Sequence, residues 1–136
     1  MMNLRDELLE RNCSIVASNG YYSYENGIKP VLYRVDENRE FFKGLTVADK
    51  VIGKASAMLL CMSGVKEVYA LLLSKAGKEI LERNHVPYHF DELVDIIVNN
   101  KGDGMCPMEL TVKDVDDPEE AFEALKKKVA ELSHPF

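Results

Sequence analysis

Polar and apolar residues alternate along this chain in two rhythms, one helical and one extended. Leu4, Leu8 and Leu9 recur at helical spacing among charges, which predicts a helix over residues 3–11 closed by Asn12. Cys13 to Ser18 reads as a strand, Asn19-Gly20 as a turn and Tyr21 to Tyr24 as a second strand. Together they make a hairpin that ends at Glu25-Asn26-Gly27. Pro30 suits the first position of a short helix over Val31 to Asp36, although Val31 to Val35 also fits a strand. A polar loop runs on to Gly44.

The strongest helical pattern starts at Thr46 and continues to about Met62. Thr46-x-x-Asp49 has the spacing of a capping box, and Val47, Val51, Ala55, Met58 and Met62 follow one face. Ser63-Gly64 stops it. Val65 to Leu73 is nearly continuous apolar at its end, as in a parallel strand buried on both faces. Ser74 is placed to cap a helix over 75–83 with Ala76, Ile80 and Leu81 inward. Val86 to Phe90 reads as a strand, with Pro87 marking an edge or an entry. Leu93, Ile96 and Ile97 favour a short helix within 91–99. A Gly-rich loop precedes one or two helical turns at 107–112. Asp117-Pro118-Glu119-Glu120 then opens a last helix that runs to Ser133, with Ala121, Phe122, Leu125, Val129 and Leu132 inward. The order of elements predicts an α/β fold with helices on both faces of a small mixed sheet of four or five strands.

Bulk properties narrow the function classes. A length of 136 residues fits one domain over 1–136. The net charge of -6 argues against nucleic acid, whose binding rests on lysine and arginine meeting phosphate. The longest apolar run, Ala57 to Met62, is far short of a membrane span, so no membrane partner is expected. The first twelve residues are charged and periodic, unlike a signal or transit peptide. Cys13, Cys61 and Cys106 are widely spaced with no Cys-x-x-Cys, which suits a reducing, cytoplasmic setting. His85, His89 and His134 match no metal-ligand spacing, and neither metal nor cofactor is expected.

Three blocks carry a family resemblance. VADKVIGKASAML at 47–59, VKEVYALLLSKAGKEIL at 65–81 and GDGMCPME at 102–109 together resemble a prokaryotic family catalogued as a domain of unknown function with a cytidine-deaminase-like fold. The resemblance covers roughly residues 3–113 and implies a three-layer α/β/α sandwich. It implies no activity. Zinc deaminases set His/Cys-Ala-Glu at one helix start and Pro-Cys-x-x-Cys at the next, so that zinc activates a water and the glutamate shuttles protons. By the resemblance, Ile52-Gly53-Lys54 and the segment from Ser74 to Lys78 stand at those places here. Isoleucine, serine and lysine cannot rebuild a tetrahedral zinc site, so zinc-dependent deamination is not expected.

What remains is a candidate site for a small anionic ligand, such as a nucleotide or phosphorylated metabolite. In open α/β sheets ligands sit beyond the carboxyl ends of parallel strands, against helix starts. Lys50 and Lys54 fall four apart, and on the helical reading they share a face where the helix dipole is already positive. Asp49, Gly53, Ser56 and Ala57 form a small or polar stripe beside them, and Ser74 and Lys75 add a hydroxyl and a third cation. Asp103, Gly104 and Cys106 supply a loop wall. Cys106 precedes the proline of a helical turn, a position that favours thiolate, with Glu109 as a nearby carboxylate. An enzyme using Cys106 as nucleophile is therefore the alternative. Tyr21, Tyr22 and Tyr24 alternate along a strand and fit a homodimer contact, stacking on a base, or simple core packing and hairpin stability, and a ligand-free structural subunit is the third reading. The same site residues also read plainly as caps, solvated lysines and packing glycines.

Overall fold

A computed structural model describes residues 3–99 and 101–133. The chain runs α1 (Leu4–Arg11), β1 (Ile15–Ala17), β2 (Tyr22–Ser23), α2 (Lys29–Glu37), β3 (Thr46–Ile52), α3 (Lys54–Ser63), β4 (Glu67–Ser74), α4 (Lys75–Arg83), β5 (Tyr88–Val94), α5 (Pro107–Val112) and α6 (Pro118–Ser133). Local chemistry explains most of these bounds. The Asn3 side chain accepts the Asp6 N–H to start α1, and Asn12 ends it in the left-handed region. Pro30 sits in the first turn of α2, as its fixed φ predicts. Gly64, with φ of 91°, closes α3 and donates its N–H to the carbonyls of Cys61 and Leu60. The Ser74 side chain accepts the Gly77 N–H to start α4.

Five strands form one mixed sheet in the order β2-β1-β3-β4-β5. β1 runs antiparallel to both β2 and β3, while β3, β4 and β5 are parallel. Alternate residues feed two cores. Val16, Ala48, Tyr69 and Leu71 face α1, where Leu8 and Cys13 complete a small cluster. Ile15, Val47, Val68 and Ala70 face the other way, into a larger core closed by α2, α3, α4, α5 and α6. The result is three layers, with α3 sandwiched: seven of its ten residues are buried. α1 is tied across the sheet by Arg5, whose guanidinium donates to Asp91 on β5 at 2.9 Å.

The structure corrects the sequence reading at two elements. Residues 46–52 are a strand, not the first half of a helix, and α3 begins only at Lys54. Four of those seven residues, Thr46, Val47, Val51 and Ile52, are β-branched and prefer a pleated surface. The parallel register Val47↔Val68 and Ile52↔Leu73 takes up their backbone groups. Likewise β5 continues to Val94, where a short helix over 91–99 was expected. Smaller corrections follow: Ala76, Leu9 and Leu132 are exposed rather than inward, and Gly77 fills the buried place beside Ile80 and Leu81. Among the described residues no helix is long and apolar enough to cross a membrane.

Candidate functional site

Because 46–52 is extended, neighbouring residues of β3 point to opposite faces. Lys50 faces the α1 side, where its Nζ donates to Asn12 Oδ1 at 3.0 Å. Asp49 faces the larger core. Lys50 and Lys54 therefore do not share a helix face. β3 delivers Asp49, and Gly53 breaks the strand so that α3 can start at once.

A recess of about 310 Å³ opens at this carboxyl end of β3. Its walls come from Ser14, the 26–28 turn, Asp49 to Val51, Gly53, Ala55-Ser56, Ile97-Val98, and Cys106, Met108 and Glu109. Of the expected site residues it brings together Asp49, Lys50, Gly53, Ser56, Cys106 and Glu109. Asp49 is 6% exposed, and Val51 donates its N–H to Oδ1 at 3.1 Å. Among the described residues no side chain hydrogen-bonds its carboxyl. Burial pushes the Asp49 carboxyl up to about 7, against the pull of the Val51 and Lys50 N–H groups. Ser56 is 7% exposed, and its hydroxyl has no hydrogen-bond partner among the described residues. The Ser14 hydroxyl donates to the backbone, with the Glu25 carbonyl at 2.6 Å and the Ser23 carbonyl at 2.9 Å.

Glu109 is the structural hinge of the site. Its Oε1 accepts the Lys54 N–H and its Oε2 the Ala55 N–H, each at 2.8 Å. These are free N–H groups at the start of α3, so a carboxylate there meets both open donors and the positive end of the dipole. The arrangement needs a glycine at 53. A Cβ added there would lie 2.3 Å from Glu109 Oε1 and 2.5 Å from its carboxyl carbon. Gly77 of α4 packs less tightly on the same junction, 3.0 Å from the Gly53 carbonyl to a Cβ placed there. The chain's own carboxylate thus fills the place expected for a ligand's anion.

The remaining candidates scatter. Lys54 donates from Nζ to the Lys113 carbonyl at 3.0 Å and faces Asp116 at 3.8 Å. With Ser74 and Glu109 it lines a separate, smaller cavity of about 70 Å³. Ser74 is spent as the α4 cap. Lys75 pairs with Asp95 at 2.6 Å on the exposed surface. Asp103 is exposed and accepts from Asn99 Nδ2 at 2.8 Å, clasping the loop, and neither it nor Gly104 reaches the recess. Cys106 precedes α5, its N–H donated to the Ile97 carbonyl at 2.8 Å. Among the described residues no group of three or more His, Cys, Asp or Glu side chains is placed to hold a metal ion. Sequence reasoning missed Ser14 and Asn26, which only the antiparallel pairing of β1 with β3 brings to Asp49. Of the tyrosines, Tyr21 packs edge-on against Phe41 at 5.3 Å, whereas Tyr22 and Tyr24 are exposed.

Comparison with known proteins places the whole arrangement. The family model described as domain of unknown function DUF1893 matches residues 3–129. The crystal structure of a DUF1893 family protein from Thermotoga maritima superposes with a TM-score of 0.84 at 27% sequence identity. That match covers 91% of this chain and 86% of that one. The search of curated proteins gave no match. The chain belongs to the DUF1893 family.

Proposed function

We propose that this DUF1893 domain is a small-molecule-binding module whose site is the recess at the carboxyl end of β3. The observation that carries the reading is a pair of polar side chains, Asp49 and Ser56, each more than nine-tenths buried on the wall of a cavity, with no side-chain hydrogen bond to either among the described residues. Buried polar groups are normally satisfied, and a set left open on a cavity marks a binding site. The volume of about 310 Å³ sits at the low end for small-molecule sites and selects a compact ligand.

The three-layer arrangement supports the resemblance to the cytidine-deaminase-like fold. The two helix starts where deaminases hold zinc carry Gly53-Lys54 and Ser74-Lys75 here, and this donor set does not fit a zinc ion. The module is therefore read as metal-free. The narrower expectation of an anionic ligand on Lys54 and Ser74 draws support only from the 70 Å³ cavity. There the Lys54 ammonium is already held by the Lys113 carbonyl, which favours the larger recess. A second reading, a nucleophilic Cys106, is favoured by the place of Cys106 on the wall of the same recess. Exposed Tyr22 and Tyr24 favour a homodimer contact as a subsidiary proposal.

A thermal-shift screen of compact polar molecules tests the reading. Hits are expected with the native chain and lost in Ser56→Leu, whose side chain fills the recess, while Lys54→Ala keeps them. Hits that survive Ser56→Leu but vanish in Lys54→Ala move the site to the smaller cavity. A screen without hits overturns the reading.

A further inference from the structure

We propose that the recess receives a compact organic cation, a small molecule carrying a primary amine, amidine or guanidine group, with Asp49 as its counter-ion. The inference rests on the small-molecule reading above and adds the chemistry of the ligand. It starts from a mismatch. A carboxyl 6% exposed has neither an ion-pair partner nor a side-chain hydrogen bond among the described residues. Proteins bury carboxyls beside cations or among several donors, because an isolated buried charge is costly.

The nearby cations are engaged elsewhere. Lys50 lines the recess, but its ammonium is directed to Asn12 Oδ1 at 3.0 Å. Lys54 bonds the Lys113 carbonyl and faces Asp116. The other polar groups lining the recess can all accept a hydrogen bond. From β1's leading edge comes Ser14, whose proton is already given to backbone carbonyls, leaving lone pairs. From α3 comes the Ser56 hydroxyl, from the 26–28 turn the Asn26 amide, and from the α5 side the Cys106 thiol and the Glu109 carboxylate. Among the described residues, an anion entering here meets two carboxyl groups, and the one ammonium lining the recess, that of Lys50, is already bonded to Asn12. A cation with two or more N–H donors meets Asp49, the Ser56 oxygen and the Ser14 lone pairs. The negative charge of the whole chain, -6, acts in the same direction.

Such a ligand makes binding sensitive to pH. Burial holds the carboxyl largely protonated below about 7, so a cation must displace a proton at lower pH. Affinity then rises as Asp49 ionises, by roughly tenfold between about pH 6 and about pH 8. A ligand that only accepts a hydrogen bond from the protonated carboxyl shows the opposite slope.

Isothermal titration calorimetry on the full chain decides the matter, with methylguanidinium chloride and n-butylammonium chloride as cations. N-methylurea and n-butanol serve as neutral counterparts, acetate and inorganic phosphate as anions, all at matched ionic strength. The expected result is binding of at least one cation, tighter at the higher pH by about that factor. Its neutral counterpart is expected to bind at least tenfold more weakly, and Asp49→Asn and Ser56→Leu to lose the cation. The pH series and the neutral counterparts use the unaltered chain, so the test stands even if Asp49→Asn fails to fold. Failure of both cations to bind overturns the inference. So does a cation affinity that ignores pH, or equal binding of the neutral counterparts. Compact neutral or anionic molecules that bind and are lost in Ser56→Leu, where the cations fail, refute the charge assignment alone and leave the recess as a binding site.

Discussion

Replacing Gly53 with alanine tests the arrangement at the start of α3. The backbone at 53, with φ of -108°, is one any L-residue adopts, so alanine brings no conformational strain. Alanine even gains about 0.4–1 kcal/mol by restricting the unfolded chain. The whole penalty therefore comes from the new methyl, which would stand 2.3 Å from Glu109 Oε1. The carboxylate must leave, and with it go the two bonds of 2.8 Å to the N–H groups of Lys54 and Ala55. Each bond to a charged group contributes about 1.5–3 kcal/mol, and water replaces part of that loss at this half-open rim. The expected net destabilisation is about 2–4 kcal/mol, read in urea titrations as a lower midpoint at unchanged slope. In a Glu109→Ala background the obstruction is gone, and Gly53→Ala is expected to cost less than about 0.5 kcal/mol. Equal costs in the two backgrounds would falsify the account, because they would show that Gly53 is needed for something other than room for that carboxylate.

Asp49 makes a prediction about pH. Its folded pKa of about 7 lies above the ordinary carboxylate value, so folding favours the protonated form. That contribution is fully present below about pH 4 and is lost as pH rises through about 7, by up to about 4 kcal/mol. Asp49→Asn is expected to flatten that decline in melting curves taken across this window, and a parallel decline in the variant would refute the assignment. Ser74→Ala removes the cap on Gly77 and is expected to cost about 1 kcal/mol in chemical denaturation. In timed alkylation followed by mass spectrometry, Cys106 is expected to react first. Cys13 is fully buried, and burial pushes the Cys61 thiol up to about 12. Faster loss of Cys61 than of Cys106 counts against this placement.

Elements with unambiguous signals were legible in the sequence: the apolar run of β4, the serine at the start of α4, the Asp117-Pro118 opening of α6. β3 was not, because Val47, Val51 and Ala55 satisfy helical spacing as well as they do a strand followed by a helix. Thr46 and Asp49 also mimic a cap. Only pairing with β1 and β4, both distant in sequence, breaks the tie. β5 failed for a related reason. As an edge strand it exposes His89, Asp91 and Glu92, so its burial pattern carries no clean alternation. Within the site, Asp49, Gly53, Ser56, Cys106 and Glu109 stood out as residue types in suggestive places. Their roles did not, since Glu109 acts on a helix that begins 55 residues earlier. Spacing along a sequence says nothing of such a reach.

That reach sets an order of events during synthesis. All five strands and the body of α3 precede residue 109 in the chain, so they emerge from the ribosome before it does. Until then the first amides of α3 have only water to bind. A nascent chain stalled so that residue 105 has just emerged from the ribosome should resemble an assembled sheet with a frayed helix. Emergence of the short α5 turn is the event that locks it, so a protease added to stalled chains should nick the 53–56 junction before that point and spare it afterwards.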